Sequence, residues 1–311
     1  MSPGSRPIKT SWPHILVKAA KGWNADNVFK HSAAVSFCTL FSLAPITIVA
    51  VTVVGLFFGR EEATHQLTQQ ITALVGPASA DLINKAAAAA QSHQDSWLAT
   101  SIGIILVVVG ATTVFAQLQD SLNAIWGVRT RPSKSGWPIL ILHRLVSFAM
   151  VVTVGFLLLV SLILTTFLTS TLNRFKGTFL DSPAVLQSVD LLGGLVVITS
   201  LFALIFKIMP DVKLEWKEVG LGATLTAILF TAGRYLIALY LSHSTVASIY
   251  GTAGSLVALL MWVYYSCAIL FFGVEFIRAY KVLHRHPVRP KETAVLVREE
   301  IVQSFRAAER G

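Results

Sequence analysis

Apolar residues gather into six long runs separated by shorter polar segments: approximately Ala33–Phe58, Trp97–Leu118, Trp137–Leu172, Leu186–Met209, Val219–Leu241 and Gly254–Ala279. Each run reaches the roughly 20 residues that a helix rising about 1.5 Å per residue needs to cross about 30 Å of hydrocarbon. The pattern predicts an all-α polytopic membrane protein with six transmembrane helices. Amphipathic patterns flank them. Ahead of the first run, Trp12, Ile15, Ala19 and Trp23 form one stripe behind a helix-start signal at Ser11 and Pro13, with Lys18 and Lys21 elsewhere. This helix is expected at the cytoplasmic interface. Past Pro290, Ala294, Val297, Ile301 and Phe305 recur at helical spacing among Glu299, Glu300 and Arg306, which predicts an amphipathic tail helix.

The chain divides accordingly into a cytoplasmic lead (1–32), a transmembrane domain (33–280) and a basic cytoplasmic tail (281–311). The longest connection, residues 59–96, is split by Gly76-Pro77 into two helix-like pieces. Leu67, Ile71, Leu74 and Val75 mark one apolar face, and Leu82, Ile83, Ala86 and Ala90 mark the other. A cap on the outside of the bundle is expected there. The first run begins at Ala33 after a basic lead and has no small-residue cleavage site, so it reads as a retained span rather than a signal peptide.

Composition and charge sharpen this picture. With a mean hydropathy of +0.67 and only 13% charged residues, lipid must solvate much of the surface. The lysines and arginines fall on alternate sides. One side takes Arg6, Lys9, Lys18, Lys21 and Lys30 from the lead, then Arg129, Arg131 and Lys134, then Lys207, Lys213 and Lys217, and eight more in the tail from Arg278 onward. The other side holds Arg60, Lys85, Arg174 and Lys176. Short cytoplasmic loops are the cation-rich ones, so both termini are expected in the cytoplasm. The net charge of +9 is spread over four segments without interleaved aromatics, which argues against nucleic acid and for an anionic inner leaflet. Cys38 and Cys267 lie in different spans and read as small core residues.

Polar residues inside the spans are the candidate functional positions. Arg234 falls in the fifth span, roughly 12 Å beneath the outer surface by helical rise. Its expected partner is Asp190, near the outer end of the fourth span, with Tyr264 and Tyr265 as cation–π or hydroxyl alternatives. A functional cation and an arginine that snorkels outward are both open readings. Glu275 comes out near the cytoplasmic face, with Arg278 at i+3 and His143, Arg144 and Lys207 at similar depth. A structural ion pair is favoured there over proton coupling. Pro45 follows Ser36, Thr39 and Ser42 and predicts a kink in the first span, most simply for packing. At the end of the second span, Gln117, Asp120, Ser121 and Ala124 share a helical face with Asn123 nearby, which reads as helix glue ahead of a vestibule. Gly251, Gly254, Ser255 and Ala258 indicate close helix approach.

Three blocks carry a resemblance to the YihY/virulence-factor BrkB family of bacterial inner-membrane proteins. They are Ala33 to Pro45, Gln117 to Trp126 and, most distinctive, Tyr250 to Phe276, and the similarity covers about Trp12 to Tyr280. The resemblance implies six helices with both ends inside. It implies no settled activity, since members are variously labelled ribonuclease BN, linked to serum resistance, or regarded as transporters, including of lipids. A ribonuclease would need gathered metal ligands or a placed acid–base pair. Here the one close histidine pair is His284 and His286 in a basic tail, and the acids are scattered. No enzyme, metal or cofactor is therefore expected. No phosphate-binding loop occurs, so direct ATP driving is not expected either. The leading expectation is a carrier for an amphiphilic or anionic envelope substrate, and the alternative is a membrane scaffold. Expected partners are membrane lipids, a lipid or anionic amphiphile as substrate, and a second copy or an envelope protein.

Overall fold

The computed structural model describes residues 12–42, 85, 97–130, 183–243 and 254–297. The described chain is mostly helical. α1 (Trp12–Ala25) leads into α2 (28–42), followed by α3 (Trp97–Trp126), α4 (Pro183–Ile208), α5 (Trp216–His243) and α6 (Gly254–Leu283). Within the last three, Leu191–Ile208, Trp216–Ile237 and Leu256–Leu283 are long and apolar enough to cross a membrane. Pro45, the rest of the first run, the third run and the outer loop apart from Lys85 lie outside the described residues.

α6 is the central element: α1, α3 and α5 all pack on it, and α4 packs on α5. Close approach of α5 and α6 depends on missing side chains. A methyl group on Gly222 would strike Ile277, and one on Gly273 would strike the Thr226 hydroxyl. The core formed this way includes Leu122 and Ile125 of α3, Phe206 of α4, Val219 and Ala223 of α5, and Phe271, Val274 and Ile277 of α6. α1 contributes the buried Ile15 and Ala19, which meet Phe276 and Ala279. The stripe read from the sequence is therefore the face that α1 lays on α6.

Three helices end in residues with positive φ, the conformation that turns the chain and satisfies the last carbonyls. They are Asn27 after α1, Gly127 after α3 and Arg285 after α6. At α6 the His286 amide donates to the Lys281 carbonyl (2.9 Å) and the Arg285 amide to Val282 (3.2 Å). That is a Schellman motif built on arginine instead of glycine.

The turn sends the tail back across the helix ends, where it forms two antiparallel ribbons. β3 (Arg289–Pro290) pairs with β2 (Val212–Lys213), between α4 and α5; β4 (Ala294–Leu296) pairs with β1 (Val128–Thr130), just after α3. The expected tail helix is thus a strand where its helical stripe would begin, because the Ala294–Leu296 backbone pairs with β1 instead of with itself. Ile301 and Phe305 lie outside the described residues. The ribbons also fix direction. α3 and α4 both finish at this end, α2 and α5 start here, and α6 returns to it.

Candidate functional site

Charge is sorted along the helices. Lys18, Lys21, Lys30, Arg129, Lys207, Lys213, Lys217, Arg278 and Lys281 all sit at the ribbon end. In the described parts of α2 to α6 remote from that end the only Lys or Arg is Arg234. The polar chemistry at the ribbon end falls into three clusters.

The first cluster lies between α1 and α6. Asp26, in the turn after α1, pairs with Nη1 of Arg278. The same nitrogen is 3.4 Å from Oε1 of the buried Glu275. Gly22 makes room for this, since a methyl there would collide with the Glu275 carboxylate. Beside the cluster opens a cleft of about 380 Å³, with Lys18, Lys21 and Arg278 on its walls and Gly22, Ala25, Ala279 and Val282 forming its apolar part. On the other flank of α1 a second cleft of about 350 Å³ is lined by Trp12, Leu16, Leu221, Leu225, Ile228 and Phe276.

The second cluster joins α5, α6 and the tail. Glu218 accepts two hydrogen bonds from Nζ of Lys281 at 2.8 Å, with the two side chains only 2% and 5% exposed. Nδ1 of His286 lies 3.2 Å from the same carboxylate, and the Glu215 amide donates to it at 3.1 Å, a capping-box contact at the start of α5. The acid stands in the first turn of α5 and the lysine in the last turn of α6, so both helix dipoles favour the arrangement.

The third cluster ties α3 to the α4–α5 connection. Asn123 donates to Asp211 (2.9 Å) and accepts from its amide (2.8 Å), while the Lys291 amide donates to the Asp211 carbonyl (2.8 Å). Nearby, Nδ1 of His31 lies 3.3 Å from the Ser121 hydroxyl, to which Gln117 donates at 3.4 Å. Burial holds the His31 imidazole below its ordinary value; Lys30 adds to this and Asp26 opposes it.

Sequence reasoning placed Glu275 beside Arg278, and the structure adds Asp26 as a second carboxylate. Lys207 does not join them. It donates to the Leu214 carbonyl and sits 5.2 Å above the Trp216 ring; His143 and Arg144 lie outside the described residues. Gln117, Ser121 and Asn123 act between or along helices, whereas Asp120 and Ala124 are exposed, so that helical face is only partly inward. Arg234 meets a tyrosine other than the two named for it. Its guanidinium lies over the adjacent Tyr235 ring, 5.2 Å from the centroid, and reaches that hydroxyl at 3.5 Å. Tyr265 instead packs against Gly233, and Tyr264 stacks on Phe29. A residue and its neighbour diverge by about 100° on a helix, so Arg234 points away from the face that Gly233 turns to α6. The Asp190 backbone lies in α4, and its side chain is outside the described residues.

Glu218 and Lys281 were not singled out from the sequence, although one signal pointed to them. Leu270, Val274 and Ile277 form a buried helical stripe, and Lys281 is its next member.

The family model described as Virulence factor BrkB matches residues 19–295. Similar curated proteins are each called a UPF0761 membrane protein. One from Alcanivorax borkumensis is 23% identical over 91% of this chain and 64% of its own length. Another from Nitrosospira multiformis is 27% identical over 88% of this chain and 63% of its own length. A third, from Tolumonas auensis, is 29% identical over 57% of this chain and 56% of its own. The chain therefore spans less than two thirds of these relatives. No solved structure matches it.

Proposed function

This chain belongs to the virulence factor BrkB family of membrane proteins, and from that premise we propose a non-catalytic carrier of an anionic amphiphile in the bacterial inner membrane. Six crossings with both ends in the cytoplasm are part of the proposal. Two facts support that topology. Cations collect at one end of the described helices, as the cytoplasmic side requires. In addition, Thr130, just past the end of α3, and Pro183, at the start of α4, lie at opposite ends of the helices, which is the placement expected if the third apolar run crosses between them.

The observation that carries the functional reading is where the available cations sit. Arg234 rides on an outward flank of α5 beside Tyr235 and Leu236, which are 59% and 64% exposed, while Lys18, Lys21 and Arg278 line an open cleft at the other interface. Cations on the lipid-facing exterior suit a substrate whose tails stay in the bilayer while its headgroup meets the protein. A water-soluble solute would call for an enclosed path. Non-catalytic character is supported by the acids: Glu218 and Asp211 are committed to structural partners.

The test is reconstitution into vesicles containing labelled anionic lipids. Translocation should exceed that of empty vesicles and fall at least tenfold with Arg234→Ala. Rates equal to empty vesicles for every lipid would refute the carrier, and reporter fusions placing the two termini on opposite faces would refute the topology.

A further inference from the structure

The cleft between α1 and α6 carries chemistry that the fold does not consume. Arg278 is held by two carboxylates, and both contacts fall on Nη1. A guanidinium has five donors, so this anchoring orients the group and leaves the Nε and Nη2 side to other acceptors. Lys18 and Lys21 stand on the same cleft, exposed, with no ion pair among the described residues. Three cations face Asp26 and the buried Glu275, so the cleft carries a net positive charge. A phosphodiester would neutralise it.

Depth and surface character say which phosphodiester. Trp12, stacked on Phe276, and Trp216, beneath Lys207, are both largely exposed at this end. Exposed tryptophans with lysines beside them belong at the headgroup level of a bilayer. The cleft is otherwise apolar, floored by Gly22, Ala25, Ala279 and Val282, the last of which is itself exposed. A soluble phosphate would gain nothing from that floor, whereas the glycerol and upper acyl carbons of a lipid would cover it. We propose that Lys18, Lys21 and Arg278 form a binding site for the headgroup of an anionic phospholipid, with Asp26 and Glu275 as residues that position Arg278. The site deepens the carrier reading by naming where such a substrate is held at the ribbon end, yet it can be tested without transport.

The full chain in phosphatidylcholine nanodiscs would be titrated with phosphatidylglycerol, following occupancy by native mass spectrometry. Saturable binding is expected. Removing both lysines, as Lys18→Gln with Lys21→Gln, should weaken it about 30-fold, at roughly fivefold per cation near an anionic lipid. Both side chains are exposed, so the variant should fold. Lys213→Gln with Lys217→Gln, equally exposed but off the cleft, should leave affinity within about twofold. An equal loss in both variants would overturn the proposal by reducing it to surface charge. So would competition by soluble glycerol 3-phosphate at concentrations comparable to the lipid, which would make free phosphate the ligand. Binding intact with translocation absent would refute the carrier alone; translocation intact with no saturable binding would refute this site alone.

Discussion

Lys281→Met isolates the most deeply buried ion pair among the described residues. It removes the ammonium that donates both 2.8 Å bonds to Glu218 and leaves that carboxylate 2% exposed with two partners, the Glu215 amide and His286. Breaking a buried pair from one side costs about 3–5 kcal/mol. Because Glu218 keeps two donors, Lys281→Met should fall near the lower bound, about 3 kcal/mol. Glu218→Met is the harsher change. It strands an ammonium that is 5% exposed and also removes the capping contact at the start of α5, itself worth about 1 kcal/mol, so about 5 kcal/mol is expected. The double variant abandons both charges together. Met has nearly the volume of either side chain, so the pair should cost only about 1 kcal/mol, the lost cap. Equilibrium unfolding of the full chain in mixed micelles, followed by circular dichroism, gives all four corners of the cycle. Strong non-additivity is the required result. Singles below about 1 kcal/mol, or a double equal to their sum, would show that water or headgroups reach the pair and that it is not buried in the bilayer protein.

Other changes probe separate elements. His31 is held below its ordinary value, so between its folded pKa and about 6.5 the unfolded chain binds more protons; stability should therefore fall as pH drops from 7 to 5, and His31→Gln should flatten that slope in the same unfolding assay. Gly273→Ala would drive a methyl into the Thr226 hydroxyl at the α5–α6 crossing and should cost about 1–3 kcal/mol by overpacking, relieved by a second change, Thr226→Ala. Arg285→Gly should stabilise by about 0.5–1 kcal/mol, since glycine adopts the left-handed turn at φ 58 without strain; a loss of stability would mean the arginine side chain matters more than its backbone.

What could be read without coordinates followed from length and period. The second, fourth, fifth and sixth apolar runs each lie within an observed helix or overrun its end by one residue, as at Met209, because a run of twenty apolar residues has few other ways to be solvated. The α1 stripe was legible for the same reason, with Ile15 and Ala19 buried. The tail was not. Strands of two or three residues are too short for an alternating pattern, and the three-residue step from Ala294 to Val297 imitates a helix. Partners across the fold were equally hidden. Asp26 meets Arg278 across 252 positions and Asn123 meets Asp211 across 88, distances at which no local pattern speaks.

The bonds that were hidden also separate the polar groups into two kinds. Asn123 and Asp211 exchange both a side-chain and a backbone bond, and Glu218 accepts from three residues, so their hydrogen-bonding capacity is spent on holding helix ends and tail together. Lys18, Lys21, the outer edge of Arg278 and Arg234, with one contact at 3.5 Å, are in the opposite condition. Groups of the first kind lose several kcal/mol when broken because a buried partner is left unsatisfied; groups of the second lose almost nothing, since water or headgroups already serve them. Away from Arg278, whose Nη1 serves the fold while its outer edge stays available, stability and ligand binding should therefore respond to separate residues. A variant of the first set that kept full stability while losing lipid binding would show that the same bonds serve both, and the division would fail at that residue.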